Sequence, residues 1–346
     1  MRLVSAPESG LTPEEWDDFV AARPGSTFCH LHGWSNVIGE ALRHECTYLG
    51  ARDGADRLVA VLPLARVRSP LFGHYLVSVP FLSYGGPIGE AAGVRFLCEE
   101  ATARATSLRV GLLELRNRFE VDAPGLAVNR RKVTVLLDLP ADAEALWKDG
   151  LSAKVRSQVR RPQKEGMTTR FGPDQLDAFY RIFAHNMRDL GTPVIARGFF
   201  ERIVEHLPQR VEVGVVYHGE APVAAGWGFT WRNEFEMTWA SSLRDYNRMA
   251  PNMLLYWSFM ERMVQKGLGT FNFGRCTPEG GTHRFKRQWG ETRDVPLPWA
   301  QWSPTGVTAT PNPDGSSLFR LATRAWSHLP LPVANRLGPV LARGLP

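Results

Sequence analysis

Val211–Ser242 reads VEVGVVYHGEAPVAAGWGFTWRNEFEMTWASS, and this stretch decides the fold. Three runs rich in β-branched and aromatic residues, Val211–Tyr217, Ala221–Thr230 and Glu234–Ser241, are separated by turn signals at His218-Gly219 and Arg232-Asn233. The expectation is an antiparallel three-strand meander. Asn252–Gln265 follows with a helical pattern that Gly267 stops, and Thr270–Phe273 is the next strand. A strand–helix–strand connection is a crossover, so the third meander strand and Thr270–Phe273 should lie parallel. Ligands collect at the carboxyl ends of such strands, here Ser241-Ser242 and Gly274-Arg275.

The N-terminal part repeats this order. Thr12–Ala22 is a helix with Thr12 as N-cap, Pro13 at its first position and acids in its first turn, and Gly33–Leu42 is a second short helix. Thr47–Arg52, Arg57–Val67 and His74–Val79 read as a meander. The glycine-rich Leu82–Gly89, the helix Ala91–Leu108 and the strands Val110–Leu115 and Lys132–Leu139 complete the unit. In the second part, helices at Ala143–Lys148, Ser152–Lys164, Asp174–Met187 and Gly198–Leu207 precede the Val211 meander, and Arg293–Trp299 is a last strand. The expected class is α/β (α+β): two tandem units, 1–140 and 141–302, each a mixed, mostly antiparallel sheet flanked by helices. Residues 303–346 then form a Pro/Ser/Thr linker and a tail in which Phe319, Trp326, Leu329 and Leu337 alternate with Arg320, Arg324, Arg336 and Arg343. Such a tail either packs back on the body or makes peripheral membrane contact.

Composition narrows the function classes. At 346 residues with 44% hydrophobic and 22% charged residues, the chain has an ordinary globular balance. No leader-like apolar segment opens it and no run approaches membrane-spanning length, so a cytoplasmic protein is expected, membrane-associated if the tail docks. Four dispersed cysteines suit a reducing compartment. Cys29, His30, His32, His44 and Cys46 match no zinc-finger spacing, and no metal is expected. The net charge is +6, and Leu151–Arg170 alone holds six cations (Lys154, Arg156, Arg160, Arg161, Lys164, Arg170) against Glu165. That segment suits a polyanionic ligand (a phosphorylated substrate, a nucleotide-linked sugar or an RNA backbone), or else it is a solvated helix face. No DNA partner is expected.

Several segments resemble the FemAB-like branch of tandem acetyltransferase-type (GNAT) folds, in particular members associated with exosortase/PEP-CTERM exopolysaccharide loci. The matching pieces lie in about residues 25–300: Trp34 in LHGWSNVI, VLPLARVRSPLFGHYLVSVPFLSYGGP, LSAKVRSQVRRPQKEG, HNMRDLGTPV, SSLRDYNRMAPNMLLYW and FNFGR…GTHRFKRQWG. The resemblance implies acyl transfer to an amine, with no bound cofactor. The acyl donor is then a co-substrate, aminoacyl-tRNA in the characterised peptidoglycan enzymes or an acyl-thioester. The acceptor implied is an anionic or nucleotide-linked sugar or peptide precursor. Phe285-Lys286 fits the family's Phe-Lys pair, whose lysine stabilises the transition state. Two departures stand out: the long coiled-coil arm of some Fem enzymes is missing, and Pro162 should end or kink the basic helix near Arg161.

Candidate residues follow. Phe271–Gly290 reads as a strand, a flexible Gly-containing loop and a cationic turn with Arg284, Lys286 and Arg287. Lys286 is the first choice to face an oxyanion or phosphate, Arg275 the second, with Phe285 as a backbone anchor. In the His185–Pro193 turn, Asn186, Arg188 and Thr192 could hold a carboxylate or sugar hydroxyl, and Asp189 could orient or deprotonate the amine. The structural alternative is a helix end tied down by its own side chains, with Gly191 as left-handed cap. Trp239 and Ser241 share one strand face, Ser241 as a ligand contact and Trp239 as core, and Tyr256 is a packing or binding residue on the next helix. Arg160 and Lys164 would meet a polyanion. Arg244–Pro251 holds no glycine where CoA-using enzymes cradle a diphosphate. Three readings stand open: a Fem-like transferase, an acyl-CoA- or carrier-protein-dependent N-acyltransferase, and a non-catalytic glycan- or membrane-binding module.

Overall fold

A computed structural model describes residues 1–6, 10–306 and 317–346. The first half runs β1 (Arg2–Ala6), α1 (Pro13–Ala22), α2 (Gly33–Val37), β2 (Glu45–Arg52), β3 (Leu58–Ser69), β4 (Gly73–Val77), β5 (Ile88–Gly89), α3 (Ala91–Ser107), β6 (Leu112–Leu115), β7 (Ala127–Asn129) and β8 (Val133–Asp138). After α4 (Ala143–Ala145) come α5 (Ala153–Lys164), β9 (Met167–Phe171), α6 (Leu176–Asp189), α7 (Arg197–His206), β10 (Val211–His218), β11 (Ala221–Trp231) and β12 (Glu234–Ser242). The chain closes with α8 (Pro251–Gln265), β13 (Thr270–Cys276), α9 (Gly281–Arg287), β14 (Arg293–Pro296), β15 (Trp299–Trp302), α10 (Ser317–Ser327) and α11 (Leu331–Ala342). Two compact units result, one from residues 1–131, 296–316 and 340–346, the other from 132–295 and 317–339.

In the first unit the sheet order is β1-β2-β3-β4-β6-β15-β7, with β5 on β3. The meander β2–β3–β4 is antiparallel and β4 pairs parallel with β6, as a crossover through α3 requires. Leu97, Cys98, Ala101 and Ala105 on α3 pack against Leu49, Val59, Leu62 and Leu113 of the sheet. The second unit repeats the plan as β14-β8-β13-β12-β11-β10-β9, with α8 as the crossover and β12 parallel to β13. Helix α8 covers one face, Phe259 lying against the positions of Gly214 and Gly226. Helices α6 and α7 cover the other, Phe179 and Phe200 packing on Trp227.

The duplicated α/β plan with two mixed sheets is therefore the architecture, and four local expectations need correction. Lys132–Leu139 does not close the first unit: as β8 it pairs antiparallel with β13 in the second sheet. The expected last strand Arg293–Trp299 is two strands, β14 in the second sheet and β15 in the first, antiparallel to β6. The sheets also gain edge strands the sequence did not announce, β1 and β7 in the first and β9 in the second. Pro162 does not end α5 at Arg161; the helix continues to Lys164. A proline three residues from the end removes one backbone bond, and its ring is buried beside Val155 and Val159. The linker expected at Ser303–Ser317 lies largely outside the described residues, as does the side chain of Phe319.

Candidate active site

The parallel ladder of the second unit is short. Glu234, Phe235 and Glu236 pair with Thr270, Phe271 and Asn272, and there the register between β12 and β13 ends. Both strands are irregular at that point. β12 carries an extra residue at Thr238, since Trp227 pairs with Trp239 while Gly228 pairs with Met237. The bulge turns Trp239 and Ser241 to the α6–α7 face, where Trp239 joins Phe199, Phe200 and Phe229. On β13, Gly274 sits at φ +72°, and a Cβ there would lie 2.8 Å from the Met237 carbonyl oxygen, so only glycine fits without strain. Past this point the two strands no longer pair, and Thr238, Trp239 and Ala240 are half-buried although β12 is central. The buried Thr238 hydroxyl has no hydrogen-bond partner among the described residues.

Lys286 stands at the end of β13. The stretch expected to be a flexible loop and basic turn instead holds the short helix α9, which swings the Lys286 side chain inward to 4% exposure. Its Nζ donates to the carbonyl oxygens of Gly274 (2.8 Å) and Arg275 (3.0 Å). Burial pushes its pKa down to about 8, partly opposed by the neighbouring Cys276 and Glu236. Below it lies a buried polar group that the sequence reading missed: Asn272 Nδ2 donates to Glu234 (2.8 Å) and Glu236 (3.3 Å). Asn272 Oδ1 accepts from Thr134 Oγ1 (2.5 Å) and the Gly274 N–H (2.8 Å). A buried carboxylate under a buried ammonium with two neutral carbonyl partners keeps the cation in place while leaving it N–H capacity for a ligand. The clue was present in the alternation of β12, where Glu234 and Glu236 share one side.

Phe285 packs edge-on to Tyr256 at 4.9 Å and lies 6.2 Å from Trp289. Tyr256 is itself enclosed by Phe271, Phe273 and Trp289, and burial holds its phenol un-ionised. Both residues set the position of α9. Arg275 contributes its carbonyl to Lys286. Asn186 and Ser241 do come together, Asn186 Nδ2 donating to Ser241 Oγ at 3.1 Å.

The other expected residues lie apart from the Lys286 group. The Asp189 carboxylate is ion-paired with Arg188 Nε at 2.9 Å and faces Arg244 Nε at 3.8 Å and His185 Nδ1 at 3.4 Å. Arg188 also donates to the Leu329 carbonyl at 3.2 Å, which makes it an anchor for the chain end. Gly191 has φ +73° as a left-handed cap, and α10 lies so close that a Cβ there would meet Thr323 at 2.3 Å. Thr192 closes the turn through its N–H to Met187. On α5, Arg160 stacks over Trp147 at 5.2 Å and Lys164 is exposed at the last turn. Neither shares a hydrogen bond or ion pair with the Lys286 group among the described residues.

At the equivalent place in the first unit the ladder continues beyond Val77↔Glu114: the Ser78 N–H donates to Glu114 O, and the Arg116 N–H donates to Ser78 Oγ. The buried Arg116 side chain pairs with Glu114 at 2.8 Å and donates to the carbonyls of Val79 and Leu82, while Gln301 takes the second Glu114 oxygen. The glycines at Gly85-Gly86 allow close packing: a Cβ on Gly86 would overlap Asn117 Oδ1. His30, one of the residues weighed for metal, bonds Thr27 and the Gly86 carbonyl, and burial lowers its pKa to about 4.

Residues 151–287 match the acetyltransferase (GNAT) domain family, which makes this part of the second unit an acyltransferase domain. No curated protein sequence matches the chain. FemX superposes with a TM-score of 0.63 over 88% of this chain and 97% of its own, at 14% identity. L-PGS from Bacillus licheniformis gives 0.56 over 92% and 98%, at 12% identity. A tandem GNAT protein from the clavulanic acid biosynthesis pathway gives 0.53 over 87% and 98%, at 14% identity. At such identities the likeness is one of fold: a tandem GNAT architecture spanning nearly the whole chain.

Proposed function

We propose that the protein is a FemAB-like transferase, of the exosortase/PEP-CTERM-associated branch, that moves an acyl or aminoacyl group onto an amine. The acceptor is an amino-sugar or peptide precursor of exopolysaccharide or cell envelope. The observation that carries this reading is the buried Lys286 ammonium at the carboxyl end of β13, beside the parting of β12 and β13. An activated ester needs little beyond positioning: a neutral amine held about 3–3.5 Å from the carbonyl, and a donor for the oxyanion that forms. Lys286 fills the second role by giving an N–H to the developing oxyanion. The new C–N bond forms, the C–O or C–S bond to the carrier breaks, and the amine's proton leaves with the carrier oxygen or sulfur. The cationic α5 suits a polyanionic carrier such as tRNA. In the Arg244–Ala250 turn the N–H groups of Tyr246 and Ala250 bond Leu243 and Asn247 within the turn itself, which disfavours a CoA diphosphate cradle there. Exposed Arg244 and Arg248 keep an acyl-thioester donor, on CoA or a carrier protein, as the second reading.

The test is amide formation followed by mass spectrometry, with charged tRNA and acyl-CoA supplied in parallel to a panel of amino sugars and peptides. Transfer from charged tRNA, reduced about 10²–10³-fold in Lys286→Met, is the expected result. Transfer from acyl-CoA alone selects the second reading. An undiminished rate in Lys286→Met sinks the mechanism, and the absence of transfer from every donor leaves the non-catalytic module.

A further inference from the structure

A helix lying on a protein normally buries its large apolar residues and shows polar ones to water. Helix α11 does the reverse. The residues it buries are Ala334, Gly338 and Ala342, one every four positions, and Gly338 lies so close to Val194 that a Cβ there would meet it at 2.9 Å. The residues it turns outward are Val333 (41% exposed), Leu337 (47%) and Val340 (63%), again on one face. Arg336 and Arg343 flank that outward face and are exposed. On helix α10, Thr323 packs on Gly191 and the Trp326 indole N–H is buried, while Leu321 (65% exposed), Arg320 and Arg324 face away. Residues 317–346 hold four arginines and no aspartate or glutamate. None of the four makes an ion pair among the described residues.

We infer that the outward faces of α10 and α11 dock on the surface of a bilayer that carries anionic phospholipid. Valine and leucine side chains enter the acyl boundary, and the arginines beside them meet lipid phosphates, the arrangement of an interfacial amphipathic helix. The charge pattern selects this occupant over a second copy of the chain, because a symmetric pairing of these faces sets arginine against arginine with no acid in the segment to compensate. No helix among the described residues is long and apolar enough to cross a membrane, so the contact is peripheral. Because α11 packs through its small-residue seam, its large side chains are available without unfolding anything.

Sedimentation of the full chain with phosphatidylcholine vesicles, with and without phosphatidylglycerol, tests this without any substrate. The chain is expected to bind the anionic vesicles and to be released by salt. Val333→Glu/Leu337→Glu is expected to weaken binding at least about tenfold. Arg320→Ala/Arg336→Ala is expected to weaken it by about fivefold per arginine. All four sites are exposed, so thermal unfolding should match the parent; if the glutamate pair misfolds, the alanine pair carries the test alone. Failure to bind anionic vesicles overturns the inference. So do equal binding to both vesicle types, or undiminished binding by the folded variants. A parent dimer that the glutamate pair converts to monomer also overturns it, by assigning the face to a second copy.

Discussion

Lys286 makes its own burial measurable. Its pKa falls from 10.5 to about 8 because the folded protein encloses the ammonium with two carbonyls as its hydrogen-bond partners. Below pH 8 the lysine is protonated in both the folded and the unfolded chain, and folding bears the full cost of desolvating it. Between pH 8 and 10.5 the folded state has released the proton and the unfolded state still holds it. Stability therefore rises with pH across this window. The shift of roughly 2.5 units corresponds to about 3 kcal/mol. Urea unfolding of the parent and of Lys286→Met at a series of pH values isolates the effect, since titrations common to both cancel in the difference. The parent should gain on the variant by up to about 3 kcal/mol on passing from pH 7.5 to 10.5. A flat difference would show that the ammonium is solvated or fully matched by Glu236, and the reasoning about a poised cation would fall with it. Catalysis should run the opposite way. An oxyanion needs the protonated lysine, so the rate descends as pH rises through about 8, and Lys286→Arg, if active, shifts that descent upward.

Two further perturbations separate site from scaffold. Gly274→Val places a side chain at φ +72° and 2.8 Å from the Met237 carbonyl. It should cost about 1–3 kcal/mol, read by urea unfolding, and lower transfer more than stability, because the Gly274 carbonyl also aligns Lys286. Arg116→Ala strands the buried Glu114 in the first unit and should cost about 3–5 kcal/mol, whereas the double change Arg116→Met/Glu114→Gln should cost much less, both read by urea unfolding.

The architecture was readable because it depends on order and period. Three alternating runs with turn signals, then a helix, then a strand allow few topologies, and the chain says this twice. Pairing across the units' boundary was not readable: Val133–Asp138 is as apolar as any core strand, and nothing in its period of two tells which sheet receives it. The edge strand Met167–Phe171, with Thr168 and Arg170 exposed, looks like a loop locally and is a strand only because β10 offers it hydrogen bonds. Helix α9 was hidden by Gly280-Gly281 at its start and by seven residues with one aromatic, too short for a helical period to register. Lys286 was singled out through its resemblance and its position after the crossover strand. Glu236 and Asn272 were missed because, in strands that simply alternate polar with apolar residues, the sequence does not tell a buried polar position from a solvated one.

The two units part company at a single place, the residues that follow the short parallel ladder. In the first, Ser78 carries the ladder one step further and Arg116 turns its guanidinium back onto Glu114 and two carbonyls. In the second, the ladder stops at Glu236 and Asn272, Gly274 supplies a turn no other residue adopts cheaply, and the cation arrives from a separate helix with only two carbonyl partners. An arginine can be saturated by its five donors and still remain charged at any working pH. A buried lysine has fewer bonds to satisfy and a pKa that burial can move. The same place in the fold thus holds a paired arginine in one unit and a buried lysine with two carbonyl partners in the other. As proposed above, the chemistry belongs to the second unit for this reason: its cation keeps an N–H able to bind something else.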